Sequence, residues 1–377
     1  MRRKLCAAAV AAVAVGALAA GSPASAARSA GATCPGGTLL TAVSARRLPA
    51  GSTAYTYQLP DGTTFENTAP PAGFNAATAS NALLTELHLP SRPVGAAATK
   101  SWDADVTPFS KFGISGSDTF CEKADPDAAL RAGTLDAATV GKSAAGVTPS
   151  ASVGHTPTIG FSGYELRSGP YHRAVGHFTQ PDVSGPASAN RVMSTWIGLN
   201  SASNGRLVQA GAADGIGSPA GSPFWELFCS PNPGDCNAAQ IFSQYGTAPG
   251  DVISVNVSYD NSNMSYYQVA INGVLRINTS KQMRSDSYTG AVADFLTERS
   301  GTDAIPRFTT IQFSALRTYA AYSSSVSVPF GNQNYYSEEM TQDNKFHSPP
   351  CSGNANLLMY PSNVTTDGFV NNYCFSG

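Results

Sequence analysis

From Pro157 onward the chain reads as short stretches of Val, Ile, Phe, Tyr and Thr separated by Gly, Pro, Asn and Asp. The stretches cover Arg173–Thr179, Arg191–Leu199, Arg206–Ala210, Ile253–Tyr259, Tyr266–Ile271, Val274–Ile277 and Phe308–Ala315. After Val252 the apolar residues fall at Ile253, Val255 and Val257, the period of two that a half-buried strand shows. Asn272-Gly273 predicts a two-residue hairpin, because both residue types accept the positive φ that such a turn requires. Pro249-Gly250-Asp251 predicts a turn feeding the next strand. Many short strands with close turns predict an all-β antiparallel sandwich or barrel, and no internal repeat points to a propeller. The Asn/Ser/Tyr-rich tail from Gly331 to Gly377 reads as a loop-heavy C-terminal extension.

Before Pro157 the pattern differs. Apolar Leu83, Leu84 and Leu87 follow Ser80, a capping residue type, and predict a short amphipathic helix. Pro90 and Pro93 end it, since proline lacks the donor and restricts its predecessor. Residues 123–156 are rich in Ala, Gly, Thr and Ser with little to bury, which describes a linker. A cleavable tether and an ordinary interdomain connection fit that composition equally. At the start, Met1-Arg2-Arg3-Lys4, a short Ala/Val/Gly run and small residues up to Ala26 form an export signal spanning 1–27. The run is too short and Ala-rich for a membrane span, so a secreted, extracellular product with no membrane partner is expected. These boundaries divide the chain into 1–27, a region 28–122, the linker, a sandwich at 157–330 and the tail.

Composition narrows the chemistry. Loss of the signal removes three basic residues and no acidic one, which takes the formal charge from −2 to −5. A mildly acidic chain without a basic cluster excludes a nucleic-acid partner. Cys6 leaves with the signal, and Cys34, Cys121, Cys229, Cys236, Cys351 and Cys374 remain. An even number in an exported chain predicts disulfides, and sequence neighbourhood favours Cys34–Cys121, Cys229–Cys236 and Cys351–Cys374. No CxxC pair and only scattered histidines (His88, His155, His172, His177, His347) argue against a metal site or cofactor. A serine nucleophile is disfavoured as well, for no G-x-S-x-G elbow occurs.

Carboxylate and amide chemistry remains. Glu226 stands among large apolar neighbours in Phe224-Trp225-Glu226-Leu227-Phe228. Alternation puts Asp294, Leu296 and Glu298 on one strand face. Gln209 in Leu207-Val208-Gln209-Ala210-Gly211 is less conspicuous. Each is most often just the polar residue of a half-solvated strand. The residues alone therefore lead to a secreted β-sandwich, with carboxylate hydrolysis as one open chemistry.

Several strings, in order, resemble the glutamic peptidases, also called eqolisins. They are Gly160-Phe161-Ser162-Gly163-Tyr164, Gly176-His177-Phe178-Thr179-Gln180-Pro181, Trp196-Ile197-Gly198-Leu199-Asn200, Leu207-Val208-Gln209-Ala210-Gly211, Trp225-Glu226, Ala293-Asp294-Phe295-Leu296-Thr297-Glu298 and the closing Arg307–Phe313. Pro71 to Pro93 resembles the pro-region of bacterial members, which makes 28–122 a pro-region. Phe161, Phe178 and Phe295 stand where the family usually has tryptophan, and Asn200 where aspartate is frequent. The resemblance implies a concanavalin A-like jelly roll and a secreted, monomeric zymogen acting on protein or peptide substrates in acid. It also implies Gln209 and Glu298 as the catalytic pair, with Trp196, Asn200, Trp225 and Glu226 lining the substrate cleft. Two other readings stay open, an inactive carbohydrate- or protein-binding sandwich and a glycosidase using Glu226 with Glu298.

Overall fold

A computed structural model describes residues 37–59, 62, 64–112, 120–123, 152–184, 192–201, 206–215, 221–228, 238–241, 245–283, 288–299, 305–308, 310–347, 351 and 356–374. The export signal, most of the linker, Cys34, Cys229 and Cys236 lie outside these residues. Two antiparallel sheets stack face to face. The first runs Ala238–Ile241, Ser222–Phe228, Leu207–Gly215, Val192–Asn200, Val292–Arg299, Phe161–Leu166 and Tyr335–Thr341. The second runs Thr64–Ala69, Val274–Gln282, Met264–Ile271, Val252–Tyr259, Arg173–Thr179, Ile311–Tyr319 and Phe369–Tyr373. Leu357–Ser362 pairs with both end strands and folds one sheet into the other.

The predicted alternation builds the core. Ile253, Val255 and Val257 of the second sheet face Ile197, Leu199, Val208 and Ala210 of the first, all fully buried. Asn272 and Gly273 take φ of 49° and 73°, so the hairpin forms as the sequence predicts. The helix forms at Asn81–Glu86, its Leu83 amide donating to Ser80 Oγ at 3.1 Å. A second helix, Ala96–Val106, carries no clear apolar stripe and was not legible from the sequence.

The C-terminal tail corrects the loop-heavy expectation. It supplies three strands, and Met340, Leu358, Met359 and Phe369 enter the main core. Polar residues on the outward positions hid the alternation. The Cys351–Cys374 disulfide forms at 2.07 Å, as neighbourhood suggested.

The N-terminal region also joins the sandwich. The hairpin Thr53–Gln58/Thr64–Ala69 pairs through Asn67 and Glu66 with Thr279 and Ser280. Its Tyr57 and Phe65 stack at 5.2 Å inside the main core, and Phe65 lies 5.8 Å from the Trp225 ring. Truncating a buried Phe removes apolar burial and leaves a cavity, so Phe65→Ala is expected to lower stability by roughly 3–5 kcal/mol. Urea denaturation of the full chain measures this, and an unchanged midpoint would contradict the shared core.

Candidate active site

The period of two gives the Leu207–Gly215 strand two different faces. Val208, Ala210 and Ala212 point into the inter-sheet core, while Leu207 joins Trp196, Phe224, Phe228 and Leu296 in a separate cluster on the outer face. Gln209, Glu226 and Glu298 share the parity of that outer cluster. So do Asp294, Asn200 and Glu165, and the polar groups singled out in the sequence therefore meet on one face of the first sheet.

Register sets their relative positions. One cross-strand row reads Tyr336, Glu165, Asp294, Gly198, Gln209, Glu226. The next holds Gly163, Leu296, Trp196, Gly211 and Phe224. Glu298 lies one row further, between Phe161 and Ser194. Gln209 and Glu298 thus occupy the two strands that flank the Val192–Asn200 strand, with Trp196 between them.

Trp196 lies along its own strand. Its Nε1 donates to Glu298 Oε2 at 3.0 Å. The far edge of its ring sits over Gly198, where a Cβ would come within 3.0 Å of the indole. On the other side Gly211 lets the neighbouring backbone close in, for a Cβ there would lie 2.7 Å from the Trp196 Cα. Two glycines without side chains therefore form the bed in which one indole reaches from the Glu298 row to the Gln209 row.

Gln209 is 1% exposed, and its Nε2 donates to Glu226 Oε2 at 2.5 Å. Its Oε1 is buried without a hydrogen-bond partner. Glu298 is 9% exposed. Asn200 is on the same face, with its Nδ2 donating to Asp294 Oδ2 at 2.6 Å. Trp225 corrects an expectation. Odd–even parity turns it away from Glu226, so it is fully buried between the sheets against Tyr267, 5.0 Å away, and cannot line a cleft on the outer face. Phe178 and Phe295 likewise pack in the inner core, whereas Phe161 meets Trp196 edge-on at 6.3 Å. Among the described residues no group of three His, Cys, Asp or Glu side chains could hold a metal ion.

Sequence reasoning missed the carboxyl cluster beside this site. Arg167 Nε meets Glu165 Oε2 at 2.5 Å, and its Nη2 lies 3.6 Å from Glu338 Oε1. Burial, reinforced by the Glu165 charge, holds the Asp294 carboxyl well above the usual range. The same two causes raise Glu338. The parity of Asp294 with Glu298 was the available signal, but its partners come from other strands, on both sides of it in the chain. At the end of the Leu207–Gly215 strand, burial pushes Asp214 up to about 7 although the Gln180 amide donates to it.

Comparison with known proteins follows this geometry. A family profile described as "Peptidase A4 family" matches residues 160–355, just over half of the 377 residues. Scytalido-glutamic peptidase, solved with a transition state analog inhibitor, is 14% identical over 57% of this chain and 98% of that chain, with a TM-score of 0.45. SCP-B, a member of the eqolisin family solved with the tripeptide Ala-Ile-His, is 15% identical over the same shares, with a TM-score of 0.42. No curated protein matches the chain.

The raised carboxyls make stability pH-dependent. A carboxyl whose folded value exceeds its unfolded one binds its proton more tightly in the native state, so stability falls as pH rises through the folded value. Below about 6.5 two histidines oppose this, because burial lowers His88 to about 3 and His177 to about 4. The clear window is therefore upward from that pH. Thermal midpoints are expected to fall between about pH 6.5 and 8.5, and Asp214→Asn to flatten the part of the decline near 7. Calorimetry across that range checks it, and a midpoint that climbs with pH would count against the assignment.

Proposed function

Because the chain belongs to the Peptidase A4 family, we propose that it is a secreted glutamic-type endopeptidase that cleaves peptide bonds in acid with one water activated by Gln209 and Glu298. The observation that carries this reading is a shared face. Gln209 and Glu298 rise from it on the two strands beside Trp196, each held by a side-chain hydrogen bond.

The chemistry follows from the groups. Glu298 as carboxylate takes a proton from water, and the hydroxide adds to the substrate carbonyl carbon. The oxyanion accepts a hydrogen bond from Gln209. That amide has two N–H bonds, and donation of one to Glu226 leaves the other for the oxyanion. Glu298 then returns its proton to the nitrogen as the C–N bond breaks, which restores the carboxylate and balances the step. Trp196 fixes one oxygen of Glu298 and so sets the direction of the carboxyl group. A carboxylate works as a base in mild acid without a helper. The raised carboxyls of Asp294 and Glu338 favour the same medium, since they are neutral there.

The reading places a demand on the sheet. Four residues of register offset and two strand spacings separate the Gln209 and Glu298 Cα atoms by about 16 Å on a flat sheet. It requires curvature toward this face, with both long side chains leaning over Trp196, to bring them to one water. A glycosidase pair of Glu226 and Glu298 fits less well, for Glu226 stands one strand further off and is engaged with Gln209. The basic, apolar, small-residue N-terminus supports secretion, and the Ala/Gly/Ser/Thr tether supports a zymogen.

Casein cleavage in acid, with and without pepstatin, tests the proposal. Glu298→Gln is expected to fold and be inactive, and Gln209→Ala to lose about 10²–10³ in rate, the cost of one oxyanion donor. Undiminished cleavage by folded Glu298→Gln would refute the pairing.

A further inference from the structure

We propose that residues 37–112 are a permanent partner of the catalytic sandwich, which stays bound as a second chain after a cut in the 124–151 tether. The inference rests on the peptidase reading and gives the N-terminal region a lasting structural place in the active enzyme. A pro-segment that inhibits by covering a site must lie on that site. The helices of this one lie on the opposite side of the molecule. Leu84, Leu87, Leu89, Trp102 and Phe109 pack on Ala270 and Leu275, which belong to the second sheet. Ala270 has the parity opposite to Tyr267 and Val269, both core residues, so this is the outer face of that sheet. Gln209 and Glu298 are on the outer face of the first sheet. Two stacked sheets, about 10 Å apart, intervene.

Three kinds of contact hold the segment. First, it finishes the sheet. Asn67 and Glu66 pair with Thr279 and Ser280, while Lys111 and Phe112 pair with Val274 and Leu275, so both ends of the Val274–Gln282 strand are covered. An uncovered strand offers unpaired N–H and C=O groups to any other chain. Second, Tyr57 and Phe65 fill the end of the main core beside Trp225. Third, buried polar groups of the sandwich hydrogen-bond to the segment. Gln268 Nε2 donates to Leu87 O at 2.8 Å and Asn278 Nδ2 to Thr68 O at 2.8 Å. Asp105 accepts from Tyr319 Oη at 2.6 Å and Ser327 Oγ at 2.9 Å and pairs with Arg317 Nε at 2.9 Å. Arg173, 1% exposed beneath Tyr319 and Tyr322, also feels the Asp105 charge. Departure of the segment would strand two guanidinium groups and expose an apolar sheet face together. Buried charges that lose their partner are strongly destabilising.

The test uses the full chain with a recognition sequence for a site-specific protease inserted between Ala144 and Ala145. After complete scission, gel filtration in native buffer at acid and neutral pH is followed by a non-reducing denaturing gel. Cys34 and Cys121, the expected pair, both fall in the N-terminal fragment and would not tether it to the sandwich. The two fragments are expected to co-elute in equal amounts with casein cleavage undiminished. In the nicked Asp105→Asn protein, which keeps the shape and loses the charge, the segment is expected to dissociate at lower urea than in the nicked wild type. Separation of the fragments in native buffer, with the sandwich soluble or precipitated, overturns the inference, as does identical urea release of the two nicked proteins. Co-elution without casein cleavage would instead count against the peptidase reading alone.

Discussion

One indole holds the candidate site together. Trp196 lies lengthwise on its strand because Gly198 has no side chain under it and Gly211 lets the next strand approach. Its polar end then reaches Glu298, and its apolar edge lies in the row of Gln209. A side chain at either glycine would lift the ring and detach the carboxyl group from its donor. The chemistry proposed for the face depends on that bed more than on any charged neighbour.

Around it, polar groups are held in pairs. Gln209 is tied to Glu226, Glu298 to Trp196, and Asn200 to Asp294. Arg167 faces Glu165 and Glu338, with Asp294 close by, and burial holds the Asp294 and Glu338 carboxyls well above the usual range. A face built this way is at ease in acid and strained in alkali.

The rest of the molecule serves to support the face from behind. The second sheet supplies the apolar surface against which the first is packed, and residues 37–112 close the second sheet from outside. The N-terminal region is thus bonded into the same hydrogen-bond ladder as the sandwich it precedes. Asp105 with Arg317, and Phe65 with Trp225, make it part of one folded unit.

Much of this was legible in the chain. Alternation at Ile253, Val255 and Val257 and the Asn272-Gly273 turn dictated strands and a hairpin, because period and φ preference are local properties. Ser80 marked its helix for the same reason. The strings around Gln209 and Glu298 marked the family, and alternation put Asp294, Leu296 and Glu298 on one strand face. Parity also ruled Trp225 out of the cleft, once it was known which face looks inward. That last fact is tertiary. Which side of a strand is core depends on what stacks against it, and no string of residues states it. The same limit hid the strands after Gly331, the Glu165–Asp294–Glu338 cluster and the seat of the N-terminal region, since all three arise from pairings between residues far apart in the chain.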